Sequence, residues 1–251
     1  MTLTDDQLER YARQLVLREI GGAGQTALRA AHVTLIGAGG IGCPALQYLA
    51  AAGVGTVRLI DDDAVSLANL QRQVLFGTDD IGTPKVDAAT REVRRLNPDV
   101  TIEPCPARLT PGNAPNLLAG THIVLDGCDN FATRLAVSDA CVALRLPLIS
   151  AAIGMFQAQV GVWRGWDGAC YRCFVGDAFD CDDVDTCAEL GVLGAMAGVA
   201  GAHAALEAIR LIIGFGQPQA GRVHIIDGLK PDMRTLRIAK DPACKGCEAA
   251  R

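Results

Sequence analysis

Two pairs of cysteines in the C-terminal half have a spacing suited to metal binding. Cys170 and Cys173 form one Cys-x-x-Cys pair, and Cys244 and Cys247 form the other. Each pair can present two thiolates to one tetrahedral ion, and four thiolates complete a structural Zn²⁺ site that has no open position. In a chain of this size without a secretory signal, such pairs favour metal binding over disulfides. We therefore predict a structural zinc ion that ties the C-terminal segment to the rest of the chain.

A glycine-rich turn separates an apolar segment from a helical one. The letters TLIGAGGIG contain Gly37, Gly39 and Gly42 in the spacing G-x-G-x-x-G. Glycine permits a tight turn and lets backbone N–H groups approach a phosphate at the helix N-terminus. Asp61 ends the next predicted strand, about 20 residues downstream, where a ribose-binding carboxylate is expected. Alone, these features favour an NAD-dependent oxidoreductase, and glycines that serve only close packing are the structural alternative.

The residues after the second predicted strand favour a different nucleotide. Hydride transfer needs a dry pocket and a proton donor, and this segment supplies neither; it offers instead Asn69, Gln71, Arg72 and Lys85. Two cations after a phosphate-binding turn suit a triphosphate, whose charge needs more neutralisation than that of a pyrophosphate diester. We therefore predict ATP as the ligand, while solvated surface positions are the alternative for the two cations.

A later strand is followed by a group of polar residues. The letters VLDGCDN place Asp126, Asp129 and Asn130 at its carboxyl end, and ligands of open α/β sheets bind at that edge. Mg²⁺ commonly takes one or two carboxylates together with phosphate oxygens. Asp129 is therefore predicted to hold Mg²⁺ beside the phosphates.

Alternating strand and helix patterns must position these residues. Apolar, β-branched segments recur between helical segments, namely AHVTLIG, TVRLIDDD, VTIEPCPARL, HIVLDGCDN and LPLISAAI. This alternation predicts a Rossmann-like, doubly wound α/β fold whose sheet is mostly parallel. Beyond about Pro147, QAQVGVWRG and GRVHIIDG predict antiparallel strands that extend the sheet. Because no polar linker intervenes, we predict one domain over residues 1–251, with a nucleotide-binding half over about 1–150 and a zinc-containing half over about 151–251.

The net charge, the N-terminal segment and one long apolar segment exclude several classes of protein. A formal charge of -5 and a pI near 5.4 argue against non-specific nucleic-acid binding. The polar N-terminus is not a secretory signal, and Thr4 is predicted to cap a helix that carries DQLERYARQLVL. Gly191–Gly214, the most apolar stretch, is interrupted by His203, Glu207 and Arg210, which favours a core or interface helix over a membrane span. We expect a cytoplasmic protein.

Longer motifs occur in order from about Leu8 to Cys247. They are RYARQ, GAGGIG, LIDDDAVSLANLQRQ, GTPKVDAA, DGCDNFATR, CYRC and CKGC. On these motifs the chain resembles the MoeB/ThiF proteins, bacterial relatives of ubiquitin-activating enzymes. The NLQRQ motif and the paired cysteines make this resemblance far more specific than the glycine turn does.

The resemblance implies adenylation of the C-terminal Gly-Gly carboxylate of a small ubiquitin-fold sulfur-carrier protein. ATP and Mg²⁺ would be used, and the sulfur would serve molybdopterin, thiamine or a related pathway. Residues 151–251 would bind the carrier. Because only four residues follow Cys247, we expect any sulfur donor to be a separate protein.

The same resemblance implies roles for individual residues. Gly40 and its neighbours would approach the nucleotide, Asp61 would hold the ribose, and Arg13 would act as an arginine finger from the second subunit of a homodimer. Cys187 matches a position where ThiF-like members carry an attacking cysteine, but the acidic segment around it disfavours a thiolate. The phosphate contacts implied are Asn69, Gln71, Arg72 and Lys85, with Mg²⁺ on Asp129 and Asn130 beside it.

Three other functions are weighed against adenylation of a carrier. The first is an NAD-binding Rossmann oxidoreductase, and the second is a family relative that adenylates a small-molecule or tRNA carboxylate. The third is a scaffold that binds a ubiquitin-like partner without activating it. The joint presence of Arg72, Lys85 and Asp129 argues against an inactive scaffold.

Overall fold

The computed structural model describes residues 3–176, 191–230 and 232–248, and these residues share one eight-stranded sheet. The strand order is β3-β2-β1-β4-β5-β6-β7-β8. The first five strands are parallel and the last three are antiparallel, which confirms the predicted α/β class and its antiparallel extension. The strands are β1 His32–Ile36, β2 Thr56–Ile60, β3 Thr101–Cys105, β4 Ile123–Asp126, β5 Leu148–Gly154, β6 Gln157–Trp163, β7 Arg222–Asp227 and β8 Asp232–Arg237.

Helices connect most of the parallel strands and cover both faces of the sheet. Short 3₁₀ segments at Leu67–Asn69 and Thr78–Asp80 lie between β2 and the next helix. The described α-helices are α1 Asp5–Arg10, α2 Ala12–Leu15, α3 Gly21–Ala30, α4 Gly42–Ala52, α5 Lys85–Leu96, α6 Ala114–Leu117, α7 Phe131–Ala143, α8 Tyr171–Val175, α9 Gly194–Ile213 and α10 Lys245–Glu248.

Side chains of β1 take part in two buried clusters, one on each face of the sheet. Val33 and Leu35 belong to the larger cluster, which also contains the buried residues of α4 and α9. Ile36 belongs to the other cluster, together with Trp163 and the buried residues of α7. Burial on both faces requires the continuous apolar run that the sequence shows at β1.

The N-terminal helix is shorter than the sequence pattern predicts. The predicted capping box is present, since the Thr4 hydroxyl accepts from the Gln7 backbone N–H and the Gln7 side chain accepts from the Thr4 N–H. The helix nevertheless breaks at Tyr11, which is 1 % exposed and whose hydroxyl accepts from Asn97 Nδ2 at 2.9 Å. This tertiary contact explains a break that local periodicity does not predict.

The last strand of the sheet could not be predicted from the periodicity of its apolar residues. The strand β8 is exposed at every residue, so it lacks the alternating apolar pattern that identifies a half-buried strand.

Among the described helices, α9 is long and apolar enough to cross a membrane by length and composition. It packs on α4, β5 and β6 and carries Glu207 at 1 % exposure, so it is a core helix of this fold.

Candidate functional site

The predicted nucleotide residues meet where the strand order reverses. β1 pairs with β2 on one side and with β4 on the other, and ligands of doubly wound sheets bind at such a switch point. A cavity of about 490 Å³ lies at the carboxyl ends of these strands. The predicted residues that line it are Gly37, Gly39, Gly40, Asp61, Asn69, Arg72, Lys85, Asp129 and Asn130.

Close packing explains part of the glycine motif. Gly37 has φ +88°, in the left-handed region, and its N–H donates to the Ile60 carbonyl at 2.9 Å. A Cβ at Gly42 would overlap the carbonyl oxygen of Gly37, and one at Gly40 would lie 3.1 Å from the Ala197 Cβ. Gly42 therefore serves the turn itself, whereas Gly39 has open space around it and lines the cavity.

We expect Gly42→Ala to lower the free energy of unfolding by about 2 kcal/mol, because the new methyl group forces the turn apart. Chemical denaturation measures this change. Gly22→Ala in α3 is the matched control, since a Cβ there meets nothing within 4 Å. The control should be neutral or stabilising by up to about 1 kcal/mol. Equal stabilities of the two variants would show that the turn tolerates a side chain.

Asp61 is held in place by the glycine turn. Its Oδ2 accepts from the Ala38 N–H at 2.7 Å, and its Oδ1 accepts from the Asp63 N–H at 2.9 Å. Burial raises the pKa of this carboxyl, while the nearby Lys85 and the two backbone donors oppose the rise. A buried, oriented carboxylate at the end of the second strand has the placement that ribose recognition needs.

The two predicted cations occupy different settings. The Lys85 side chain is 4 % exposed, and its Nζ lies 2.8 Å from Asp63 Oδ2 and 3.9 Å from Asp61 Oδ1. A phosphate in the cavity would therefore share this ammonium with two carboxylates. Arg72 donates through Nη2 to the Asn69 Oδ1 at 3.0 Å, so Asn69 orients this guanidinium at the cavity.

The acidic end of β4 combines a buried and an exposed carboxylate. Asp126 accepts from the Cys128 N–H at 3.0 Å, and its burial raises the pKa of its carboxyl. Asp129 is exposed and lines the cavity, as a residue that meets a hydrated cation should be. Asn130 caps α7, with its Oδ1 accepting from the Thr133 N–H at 2.9 Å.

The cap gives Asn130 a structural role that can be measured separately. We expect Asn130→Ala to lower the free energy of unfolding by about 1 kcal/mol, because the first turn of α7 loses its acceptor. Asn130→Ser keeps an acceptor at the cap and should restore most of this stability. A serine variant as unstable as the alanine variant would contradict the capping role.

Three residues at the cavity were not predicted from the sequence. Gln73 is 3 % exposed, and its Oε1 has no hydrogen-bond partner among the described residues. Arg134 is buried and donates to the Cys128 and Ala151 carbonyls, which holds the loop after β4 against β5. Asp63 pairs with Lys85. Gln73 could have been found, since it ends the NLQRQ motif.

Other predicted residues lie outside the cavity lining. Arg13 is exposed on α2 and does not line the cavity of its own chain. Gln71 lies instead against the start of α9, where a Cβ on Gly194 would overlap its carbonyl oxygen. Cys187 lies outside the described residues.

The paired cysteines converge although 74 residues separate corresponding members. The Sγ–Sγ distances are 3.8 Å for Cys170–Cys173, 3.6 Å for Cys170–Cys244 and 3.5 Å for Cys173–Cys247. All four sulfur atoms lie within 4.8 Å of one another. Tetrahedral Zn–S bonds of about 2.3 Å place sulfur atoms about 3.8 Å apart, so the four residues fit zinc.

The surroundings of Cys173 also suit a metal thiolate. Burial alone would raise the pKa of its thiol, but backbone hydrogen bonds with Asp241 and Cys170 and side-chain hydrogen bonds with Cys247 and Cys244 outweigh that effect and leave the pKa lowered. The neighbouring Arg172 forms a two-pronged ion pair with Asp139, at 2.8 and 2.9 Å, which ties this segment to α7.

Comparison with known proteins identifies the family. The ThiF family model matches residues 11–246. The chain belongs to the ThiF family. Its ThiF relatives include a sulfur carrier protein adenylyltransferase of Thermus thermophilus, 42% identical, with 98% of this chain and 93% of the relative aligned. The SAMP-activating enzyme E1 of Haloferax volcanii is also 42% identical, over 98% of this chain and 92% of the relative.

Further comparisons extend this picture to a bacterial enzyme and a solved structure. The molybdopterin-synthase adenylyltransferase of Escherichia coli is 39% identical, over 98% of each chain. E. coli MccB, crystallised with ATP, superposes with a TM-score of 0.84 at 24% identity, covering 95% of this chain and 74% of MccB. At that identity, the likeness to MccB establishes the ThiF-type fold alone.

Proposed function

We propose that this protein catalyses the ATP-dependent adenylation of the C-terminal Gly-Gly carboxylate of a ubiquitin-fold sulfur-carrier protein. The main support is the switch-point cavity, which combines a glycine turn, the cations Arg72 and Lys85 and the Asp61 carboxylate, whose side chain is 8% exposed. It occurs in a chain 42% identical to a named sulfur carrier protein adenylyltransferase. The activity would serve molybdopterin, thiamine or a related sulfur pathway.

The chemistry needs little covalent participation by the protein. A carboxylate oxygen of the carrier attacks the α-phosphorus of ATP, and the bond to the β-phosphate oxygen breaks. The products are an acyl adenylate and pyrophosphate, so a poor leaving group has been replaced by AMP. Catalysis then rests on positioning and on stabilising the negative charge that develops.

The cavity residues divide this work. The glycine turn and Asp61 hold the adenosine part, with Asp61 directed at the ribose. Arg72, Asn69 and Lys85 neutralise and orient the phosphates, and Gln73 supplies an unpaired amide oxygen in the same cavity. Mg²⁺, when bound, would be held by Asp129 and would add positive charge beside the phosphates.

The carrier is proposed to approach over the C-terminal half of the chain. Met155, Phe156, Leu193 and Leu229 are all at least 40% exposed, and Ile153 and Val192 next to them line the cavity. An apolar rim beside a polar cavity suits a small folded protein whose flexible C-terminus enters the cavity. Residues 151–251 would thus bind the carrier and contain the structural zinc ion of the four cysteines.

A carrier-dependent exchange assay tests the proposed function. Labelled pyrophosphate should enter ATP only when a ubiquitin-fold carrier ending in Gly-Gly is present, and removal of that dipeptide should abolish exchange. Exchange supported by a small carboxylate or tRNA would establish a relative with a different substrate. No exchange together with tight NAD binding would overturn the proposal in favour of an oxidoreductase.

We also propose that the active unit is a homodimer in which Arg13 of one subunit reaches the phosphates of the other. The resemblance to the family motif RYARQ suggests this role, and the exposed position of Arg13 leaves it accessible to a second subunit. Arg13→Ala and Asp129→Ala should each be inactive alone. Mixed and reassembled, they should regain about a quarter of the wild-type exchange, because half of the dimers carry one intact site. A mixture as inactive as its components would exclude an arginine supplied in trans.

We place the enzyme in the cytoplasm, with sulfur supplied by a separate donor protein after adenylation. Cys187 is not required for adenylation in this proposal. The acidic residues beside it in the sequence oppose a thiolate.

A further inference from the structure

A second group of potential metal ligands lies between α9 and the antiparallel part of the sheet. It consists of His203, Glu207 and His224, whose ligand atoms lie within 4.8 Å of one another. His203 and Glu207 are four residues apart on α9 and so share one helix face. None of the three lines the nucleotide cavity.

Sheet register brings His224 to this helix face. His224 pairs with Val160 of β6 and with Thr235 of β8, so the three side chains point to the same side of the sheet. Val160 is fully buried in the cluster that includes the core residues of α9. The two histidine rings are 4.9 Å apart between centroids.

The three donors have room to close around one ion. His203 Nε2 lies 3.6 Å from Glu207 Oε1. Tetrahedral coordination with bonds of about 2.0–2.1 Å places ligand atoms about 3.3 Å apart. Ligand atoms within 4.8 Å of one another would therefore have to approach by at most about 1.5 Å. His203 is 16% exposed, which leaves a route from solvent.

Neighbouring side chains orient the donors from outside. The Thr235 hydroxyl lies 2.9 Å from His224 Nδ1, which leaves Nε2 as the nitrogen for an ion. The Gln219 amide oxygen lies 3.3 Å from Nε2, and metal binding would replace this contact. Arg210 Nε lies 3.2 Å from Glu207 Oε2 and leaves Oε1 toward His203. Partners of this kind fix ligand orientation at metal centres.

The carboxylate of Glu207 is buried between Arg210 and His203. Its side chain is 1 % exposed, and its Oε2 is ion-paired with the Arg210 guanidinium, with Nε at 3.2 Å. Its Oε1 lies 3.6 Å from His203 Nε2, so Oε1 is the oxygen that an ion between these two side chains would contact.

We propose that His203, Glu207 and His224 form a second transition-metal site, selective for Zn²⁺ or a similar borderline cation. Two imidazoles and one carboxylate suit such ions better than Mg²⁺ or Ca²⁺. Because the ligands come from a helix and a strand, the metal joins α9 to β7 and stabilises the fold. Glu207 lies about 15 Å along α9 from Ala197, which contacts the glycine turn. The proposal does not depend on the adenylation activity.

Metal titration of the full-length protein tests this site. The protein is first loaded with one equivalent of Zn²⁺ at the cysteines, and further Zn²⁺ is then added in a calorimeter. Wild type should bind one additional equivalent, with a rise in melting temperature. His203→Ala and His224→Asn should each weaken this second binding at least about tenfold. Co²⁺ in this second position should give d–d absorption without a thiolate charge-transfer band.

His122→Ala is the matched control, because His122 is a histidine outside the cluster, whose Nδ1 accepts from the His32 N–H. It should bind both equivalents as wild type does. Zinc stoichiometry limited to one in the wild type would overturn the proposal. So would a second equivalent that persists unchanged in both ligand variants, or one that shows a thiolate band.

Discussion

Asp129→Ala should reduce carrier-dependent ATP–pyrophosphate exchange by about 10³-fold, equivalent to about 4 kcal/mol of transition-state stabilisation. The physical reason is the loss of the one exposed carboxylate at the end of β4 that lines the nucleotide cavity. Without it, Mg²⁺ would lose the protein ligand proposed for it, and the phosphate charge would be less well neutralised. Exchange measured at saturating ATP and Mg²⁺ checks this expectation.

The fold should survive this substitution, because the Asp129 side chain is exposed and no described contact depends on it. The melting temperature should therefore stay at the wild-type value. Asp79→Ala is the matched control, since Asp79 is an exposed aspartate outside the cavity lining, and it should exchange at the wild-type rate. Exchange by the Asp129 variant within about tenfold of wild type would contradict the Mg²⁺ assignment.

Cys173→Ser should remove the zinc ion and lower the free energy of unfolding by about 4 kcal/mol. The four sulfur atoms come from α8, α10 and the residues just before each, so a metal bound there would link two segments distant in sequence. With only three thiolates the site binds zinc more weakly, and the C-terminal segment loses its attachment. Elemental analysis of zinc content and chemical denaturation measure the two effects.

Cys105→Ser is the matched control, which separates the loss of a zinc ligand from the loss of any other cysteine. Cys105 is half-buried in β3 and lies outside the four-cysteine cluster, so this variant should retain the wild-type zinc content. Chelation of zinc from the wild type should reproduce the instability of Cys173→Ser. A wild-type protein that contains no zinc when purified from zinc-replete cells would refute the structural metal.

Local patterns were sufficient for the parallel half of the fold. The apolar runs at β1 and β4 are buried on both faces, and such runs are visible in a sequence without knowledge of their partners. The exposed β8 has no such pattern and was not predicted. The break at Tyr11 was also missed, because its cause is a hydrogen bond to Asn97, 86 residues away.

Some residues of the candidate site could likewise be predicted from local sequence, whereas others could not. Glycine spacing, Asp61 and the paired cysteines follow from short-range rules of turns and metal ligands. The pairing of Lys85 with Asp63 and the buried amide of Gln73 depend on how the loop after β2 folds back over the sheet. The role of Asn130 as a helix cap likewise becomes visible only with the boundary of α7.

The sequence by itself determined the α/β class, the nucleotide-binding turn, the cysteine pairs and the resemblance to the family, because each is written in residues close together in the chain. Only the tertiary structure decided which side chains share a cavity and that His224 faces His203 and Glu207. These are long-range contacts, and their geometry depends on strand order and register, which no local spacing encodes.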